Sequence, residues 1–371
     1  MRSSIRMAIP LQLHESDGTQ MECVSEIPQR GPEGLADDSA KSITLLDIGM
    51  VEDGHRASYV SFLSSLFPLE RMGFCRRAVF SRRPVLVPMV EESFLIYAAT
   101  AVIRSLMGRS TAGLLFRPLP ALYGNGVRLK AKYLLLALLR RFPRVTTLTI
   151  LPFEVEPRFA EIADDWIHDP QLWDLEEQKR QSAPPSTPGL LNQLRASAGG
   201  RPICMAIGRQ DRSKGFDWFC RLFAENLRLR ESMLFAFGGK VSQDLAAPLE
   251  SFTRSGGFGC NRFVSDDELM QLYAGADLVW CAYDASYDQA SGIFGRAVQL
   301  GIPVVVRKGA LIHRQCLREG IPCVAIGTAD HDWESLSHIP PREPRAAVLA
   351  RTRRMRDESL QTLHNALGLR Q

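Results

Sequence analysis

The sequence contains no run of about 18 apolar residues, so no segment reads as a transmembrane helix. Its eight cysteines include no CxxC pair, which argues against a zinc knuckle or a redox dithiol. Several of them stand inside apolar strand patterns and read as small core hydrophobes in a reducing compartment. Charge of one sign is also scarce: a formal +4 over 371 residues is too little for a general nucleic-acid binder, and no nucleic-acid partner is expected. Residues 1–40 carry acids, Pro, Gly and Ser without periodicity, and no signal-peptide core can be drawn through them. They read as a loosely ordered leader on a cytoplasmic protein. Finally, no G-x-G-x-x-G follows the first apolar strand, which disfavours a dinucleotide oxidoreductase.

What the chain does have is 45% hydrophobic residues and length for two domains. From Ile43 to Ile48 a strand is expected, then a helix from Ser58 to Leu66. Further strands are expected at Ala78 to Phe80, Gly113 to Phe116 and Thr146 to Leu151, with helices at Glu92 to Met107 and Lys130 to Arg141. The stretch Glu176 to Gly200, centred on Ser182-Ala183-Pro184-Pro185-Ser186, disfavours both regular structures and reads as a linker. A second alternating series begins with the strand Ile203 to Ile207 and continues through Met233 to Phe237, Gly259 to Val264, Leu278 to Ala282, Val304 to Val306 and Pro322 to Ile326. Alternation of this kind implies α/β architecture with parallel sheets. The expected division is 41–175, a linker over 176–200, 201–340, and a C-terminal helix over 341–371 that packs back on the first domain or on its own.

Three stretches of the second half carry chemistry. Gly208-Arg209-Gln210-Asp211-Arg212-Ser213-Lys214-Gly215 sets two cations beside glycines just after a strand, an arrangement that holds an anionic diphosphate at a sheet's carboxyl edge. By itself such a loop is ordinarily just solvated surface. Ser265 and Glu268 form an S-x-x-E capping box that starts a helix carrying Leu269, Leu272 and Tyr273. In Asp288 to Val305, Ser291 and Gly292 enter a helix whose first N–H groups can receive phosphate oxygens, although Ser-Gly is also a common helix start.

In this order, over about residues 203–306, these stretches resemble the donor domain of GT-B glycosyltransferases, most closely the retaining family 4. The resemblance implies two Rossmann-like domains facing across a cleft, with a nucleotide diphosphate-sugar as donor substrate and no further cofactor. Arg209 and Lys214 would hold the diphosphate, with Gly208, Phe263, Val264, Ser291 and Gly292 also on the donor side. The family carries a pair of glutamates before its Gly-x-Pro-Val-Val strand entry. Anchored on Gly301 and Pro303, the first falls on Asp288, which would accept bonds from sugar hydroxyls. The second falls on Arg296, and a guanidinium cannot accept a hydrogen bond from a ribose hydroxyl, though it can reach a phosphate or a carboxylate. No Asp-x-Asp stands at a strand end, so metal independence is expected.

The first domain would hold the acceptor. After its first strand comes Gly49-Met50-Val51-Glu52-Asp53-Gly54-His55, where His55 or Asp53 would serve as a base if configuration were inverted; a retaining enzyme needs none. Arg117 after the third strand is a further cleft candidate. Residues 128–144 combine a leucine run with six cations and no acid, which suits a buried sheet helix and also an edge meeting anionic lipid. The resulting expectation is a hexosyltransferase acting on a glycan or lipid-linked acceptor in polysaccharide or glycoconjugate assembly, cytoplasmic or peripheral at the inner face of the membrane. Two rivals are a nucleotide-sugar epimerase of the same fold, which would group carboxylates in the cleft, and a degenerate scaffold that binds without turnover.

Overall fold

A computed structural model describes residues 42–47, 54–175, 189–327 and 332–369. The first sheet contains β1 (Ile43–Leu46), β2 (Leu69–Met72), β3 (Val85–Val87), β4 (Thr111–Leu115), β5 (Val145–Thr149) and β6 (Asp165–Trp166), in the order β2-β1-β3-β4-β5-β6. Its helices are α1 (Gly54–Leu66), α2 (Arg76–Val79), α3 (Phe94–Leu106), α4 (Leu119–Tyr123) and α5 (Val127–Leu139). The second sheet contains β7 (Ile203–Ile207), β8 (Leu234–Gly238), β9 (Phe258–Cys260), β10 (Leu278–Cys281), β11 (Val304–Arg307) and β12 (Cys323–Ile326), in the order β12-β11-β10-β7-β8-β9. Around it lie α6 (Gly189–Ala198), α7 (Phe216–Glu225), α8 (Leu227–Ser232), α9 (Ala246–Arg254), α10 (Asp266–Gly275), α11 (Gly292–Gln299) and α12 (Leu311–Glu319), followed by α13 (Arg345–Leu367). Every strand pairing is parallel.

The apolar runs fix this arrangement because both faces of each sheet are covered, so central strands need no polar alternation. Every residue of β4, β7 and β8 is buried. One face of the second sheet is closed by an aromatic cluster in which Phe216, Phe219 and Phe223 of α7 meet Phe235, Phe237, Phe252 and Trp280. The capping box at α10 forms as the spacing predicts, Ser265 accepting from the Glu268 N–H and Glu268 from the Ser265 N–H.

Several expectations differ from the structure, among them the strand at Gly259 to Val264, of which only Gly259 and Cys260 belong to β9. Ala78 to Phe80 is not a strand: Ala78 and Val79 close the short helix α2 and Phe80 is exposed. So short an apolar run does not distinguish a buried helical turn from a strand. The strands actually flanking β1 are β2, whose Leu-Glu-Arg-Met sequence reflects a half-exposed edge, and the three-residue β3. The last part of the expected linker is also helical, since Leu190, Leu191, Leu194 and Ala198 give α6 a buried face. The Pro-rich centre of that stretch lies outside the described residues.

Two segments pass between the sheets. Along α13, Met355 packs with the core of the second sheet, whereas Leu363, Ala366 and Leu367 pack with Ile43, Leu45 and Leu148 of the first. Before the linker, the segment from His168 to Leu175 lies along α11. Gly295 allows this crossing, because a Cβ there would stand 2.3 Å from the Gln171 carbonyl oxygen. Within it, the buried Asp169 carboxylate accepts hydrogen bonds from the Tyr59 hydroxyl (2.9 Å) and the Gln171 N–H (3.0 Å).

Burial is the largest influence on Asp169 and pushes its carboxyl up to about 6. An unfolded-chain aspartate titrates near about 3.9, so the folded state binds this proton more tightly. The associated stability is fully present below about pH 4 and is lost as pH rises through about 6. An asparagine amide oxygen can accept both bonds without a charge. Asp169→Asn is therefore expected to flatten the pH dependence of Tm across that window and to raise stability at neutral pH by about 2 kcal/mol. Thermal unfolding of both proteins at the two ends of the window tests this, and equal slopes would remove Asp169 as the source.

Candidate active site

At the carboxyl end of β7 the chain enters the loop Gly208 to Gly215, which is fixed against β8 and β10. Gln210 donates its N–H to Lys240 O and accepts from Ser242 N, joining this loop to the one after β8. Gly239 has φ +140° there, and a Cβ on it would lie 1.9 Å from the Gly208 carbonyl oxygen, so only glycine lets the two loops approach. Gly215 ends the loop at φ +66°, and its missing Cβ would fall 2.3 Å from Ala282 O. Between them, Asp211 accepts from the Lys214 N–H and the Ser213 hydroxyl, closing a tight turn.

The two cations of this loop have different surroundings. The ammonium of Lys214 sits 3.7 Å from the ring centre of Tyr287 and 4.3 Å from that of Tyr283. Arg209 is 79% exposed, with Asp211 at 3.8 Å. One cation is thus held against two aromatic faces, and the other extends into solvent.

Ser291 is the residue before α11, but its hydroxyl does not cap the helix; it lies 2.8 Å from the Tyr283 hydroxyl. The first-turn N–H groups of α11 consequently lack a side-chain acceptor from Ser291. A Cβ on Gly292 would meet the Gln171 side chain at 2.7 Å, which places Gln171 beside the helix start. Through Tyr283 the structure brings Lys214 and Ser291 together, and Gly208 is near them, with Ile293 3.5 Å from its Cβ position. Burial pushes the Tyr283 hydroxyl well above the usual tyrosine range, so it remains a neutral donor and acceptor.

Asp288 is held in place: its carboxylate accepts from the Leu311 N–H at the start of α12 (2.8 Å) and pairs with Arg307 (3.4 Å), whose Nε donates to Tyr283 O. Arg296 reaches neither the loop nor Asp288. Its guanidinium pairs with the Asp174 carboxylate at 3.2 and 3.5 Å, and Gln299 donates to the same carboxylate. An acid at position 296 would oppose Asp174, so the crossing segment accounts for a base there. Phe263 is 85% exposed, and Val264 packs partly on the second-sheet core. Gly54 opens α1; Asp53 and the side chain of His55 lie outside what is described.

A cavity of about 510 Å³ opens where the carboxyl ends of both sheets meet. The first half contributes Arg117, Leu119 and Tyr123 after β4, with Leu151 and Glu156 after β5; the second contributes Ser286, Asp288, Gln289 and Arg314. Of the residues singled out in the sequence, Arg117 and Asp288 line this space, whereas Lys214 is not among its lining residues and sits against Tyr287, next to Ser286 of the cavity wall. Arg314 pairs with Glu156 at 3.4 Å, and its buried Nε has no hydrogen-bond partner among the described residues. Among the described residues no cluster of three or more His, Cys, Asp or Glu is arranged to hold a metal. Sequence reading did not single out Tyr283, Tyr287, Arg307, Arg314 or Glu156. The two tyrosines had a local signal, flanking the loop that leads from β10 to Asp288, but the Arg314 and Glu156 pair spans the two halves and had none.

No family model matches the chain, and no curated protein matches it. Among solved structures, sucrose-phosphate synthase from Thermosynechococcus elongatus is similar with a TM-score of 0.54 at 10% identity, over 88% of this chain and 99% of that one. The catalytic domain of starch synthase IV from Arabidopsis thaliana aligns at 0.49 and 11% identity, over 84% and 76% of the two chains. An α,α-trehalose-phosphate synthase from Burkholderia xenovorans aligns at 0.48 and 14%, over 76% and 73%. Likeness at this level is one of fold: the chain adopts the α/β GT-B glycosyltransferase fold, two parallel six-stranded sheets meeting at a cleft.

Proposed function

We propose that the protein is a glycosyltransferase that moves a hexosyl group from a nucleotide diphosphate-sugar to a glycan or lipid-linked acceptor, in polysaccharide or glycoconjugate assembly. The observation that supports this reading best is the cleft at the carboxyl ends of both sheets, where Arg117 from one half and Asp288 from the other line one cavity beside the Lys214 loop. Open α/β sheets bind ligands at that edge, and about 300–1,000 Å³ suits a small-molecule site.

In this reading Lys214 and Arg209 neutralise the charge that develops on the leaving diphosphate, and the start of α11 at Ser291 and Gly292 offers N–H groups to its oxygens. The compensating positive charge comes from side chains, so the proposal requires no metal. Asp288, oriented by Leu311 N–H and Arg307, has lone pairs left for sugar hydroxyls. Transfer with retention needs no protein base, and the Arg117 to Tyr123 wall faces the acceptor. The epimerase alternative gains nothing from the cavity, because its acids Glu156 and Asp288 are each engaged by an arginine.

A thermal-shift panel of nucleoside diphosphates tests the reading. At about one hundred times its Kd, a ligand specific for the folded state adds about 2.7 kcal/mol, or roughly 3–4 °C for a chain of this size. At least one nucleotide is expected to give such a shift, and Lys214→Ala and Arg209→Ala are expected to lose it. If none raises Tm, the transferase reading fails.

A further inference from the structure

Helix α3 has its polarity reversed. Its one charged residue, Arg104, is fully buried, while its outward stripe consists of Leu95, Ala99, Ile103 and Leu106 at helical spacing. Leu95 and Leu106 are 74% and 79% exposed. The neighbouring helix α5 repeats the pattern with Val127, Ala131, Leu134 and Leu138 on its exposed side. The two helices pack together, and Lys132 of α5 lies 5.3 Å over the Phe94 ring of α3. Beside α3, the short helix α2 ends at Phe80, which is 55% exposed. A water-facing helix normally carries polar residues along this stripe; here α3 carries none, and on α5 only Arg128 and Lys130 of the first turn flank it.

The surrounding charge has one dominant sign. Residues 93–153 contain nine Lys and Arg and no Asp or Glu. Arg128 and Lys130 stand at the start of α5, Arg140 and Arg141 follow its end, and Arg76 and Arg82 are exposed around α2. The nearby acids are few and mostly paired with cations: Asp164 with Arg140, Glu161 with Arg158, and Glu70 with Arg77 and Arg83, while Glu91 and Glu92 precede α3.

We propose that α3 and α5 dock the protein on the surface of an anionic lipid bilayer, with the leucines entering the acyl boundary and the arginines and lysines at the headgroups. An apolar stripe rimmed by cations is what such an interface attracts. A second copy of the chain fits less well, because a two-fold pairing through this face would bring one cationic rim against another. Tyr123 lies on both the cavity wall and the exposed surface just before α5, so the docked face adjoins the cleft. That the acceptor is therefore an amphiphile at the membrane surface rests on the transferase reading; the docking itself does not.

Flotation of the full chain with vesicles of mixed phosphatidylglycerol and phosphatidylcholine, and with phosphatidylcholine alone, tests the surface. Binding is expected to the anionic vesicles only and to weaken as salt rises. Leu106→Glu and Leu134→Glu should each reduce the partition coefficient roughly tenfold or more, and Arg128→Gln and Arg141→Gln roughly fivefold. All four sites are exposed, so the far-ultraviolet circular dichroism should not change. No binding to anionic vesicles, or undiminished binding by both the leucine and the arginine variants, overturns the proposal. So does a dimer in sedimentation velocity that Leu134→Glu dissociates, which would assign the face to a second copy. The same variants should keep the nucleotide thermal shift, so failure of the lipid arm leaves the donor reading intact.

Discussion

Arg104→Met is expected to destabilise the protein by about 3–5 kcal/mol, the largest stability loss of any single surface-remote change proposed for this chain. All five guanidinium N–H groups are used: Nε donates to the Thr111 hydroxyl (3.0 Å), and the two terminal nitrogens donate to the carbonyls of Val79, Ser81, Arg83 and Ser110 at 2.7 to 3.1 Å. Those carbonyls belong to the connection from α2 into β3 and to the entry of β4, so one side chain holds α3 against two strand starts. Exchanging a buried ion pair for apolar residues can be neutral when both partners are replaced. Here the acceptors are main-chain carbonyls that no substitution at 104 removes; Ser81 O keeps Arg109 and Ser110 O keeps the Val85 N–H, but the carbonyls of Val79 and Arg83 lose this donor, and each one left dry costs about 1–3 kcal/mol. Methionine is close in length, so cavity formation adds little. Burial pushes the guanidinium down only to about 10, and it stays charged at neutral pH. Urea unfolding measures the effect; a loss below about 1 kcal/mol would mean that water reaches those carbonyls unaided.

How far the sequence reveals the molecule depends on whether the deciding contact is local. The strand β7 has the predicted bounds because five apolar residues run into Gly208 without polar interruption. Likewise, Ser265 and Glu268 satisfy each other within one turn, so the start of α10 needs no tertiary information. By contrast, Ala78 and Val79 read equally well as strand or helix, and Arg104, distant in sequence from Val79 and Ser81, settles the local path. The cation loop was legible for the same reason as β7: glycine, Asp211 and Lys214 interact over a few residues. Arg296 was conspicuous in sequence, but its reason was not, since its partner Asp174 lies in the crossing segment on the other side of the linker. The same holds for Arg314 with Glu156 in the cavity. Periodicity carries information about faces; it says little about which two distant faces meet.

Lys214→Met is expected to lower turnover with the donor identified by thermal shift by about 10²–10³-fold, with most of the loss in kcat. The expectation follows from how the ammonium is held. It sits over two rings, 3.7 and 4.3 Å from their centres, in a loop that Gly215 and Gly239 let approach β10 and the β8 turn closely, so little reorganisation is needed as charge grows on the leaving diphosphate. Arg209, at 79% exposure with a loose carboxylate partner, must be ordered by the ligand itself. Its removal should therefore appear largely in KM, with a smaller effect on kcat. The tyrosines separate positioning from charge. Tyr287→Phe keeps the aromatic face and should change turnover little, whereas Tyr287→Ala removes the nearer ring and should cost about tenfold, in line with the roughly 0.5–2 kcal/mol of a cation–π contact. Tyr283→Phe would in addition release the Ser291 hydroxyl to cap α11 and so compete with phosphate for its first-turn N–H groups. Steady-state kinetics on these three variants gives the ranking Lys214→Met, Tyr287→Ala, then Tyr287→Phe in order of falling effect. A Lys214→Met enzyme within about threefold of the unmodified protein would show that this cation does not face the reacting diphosphate.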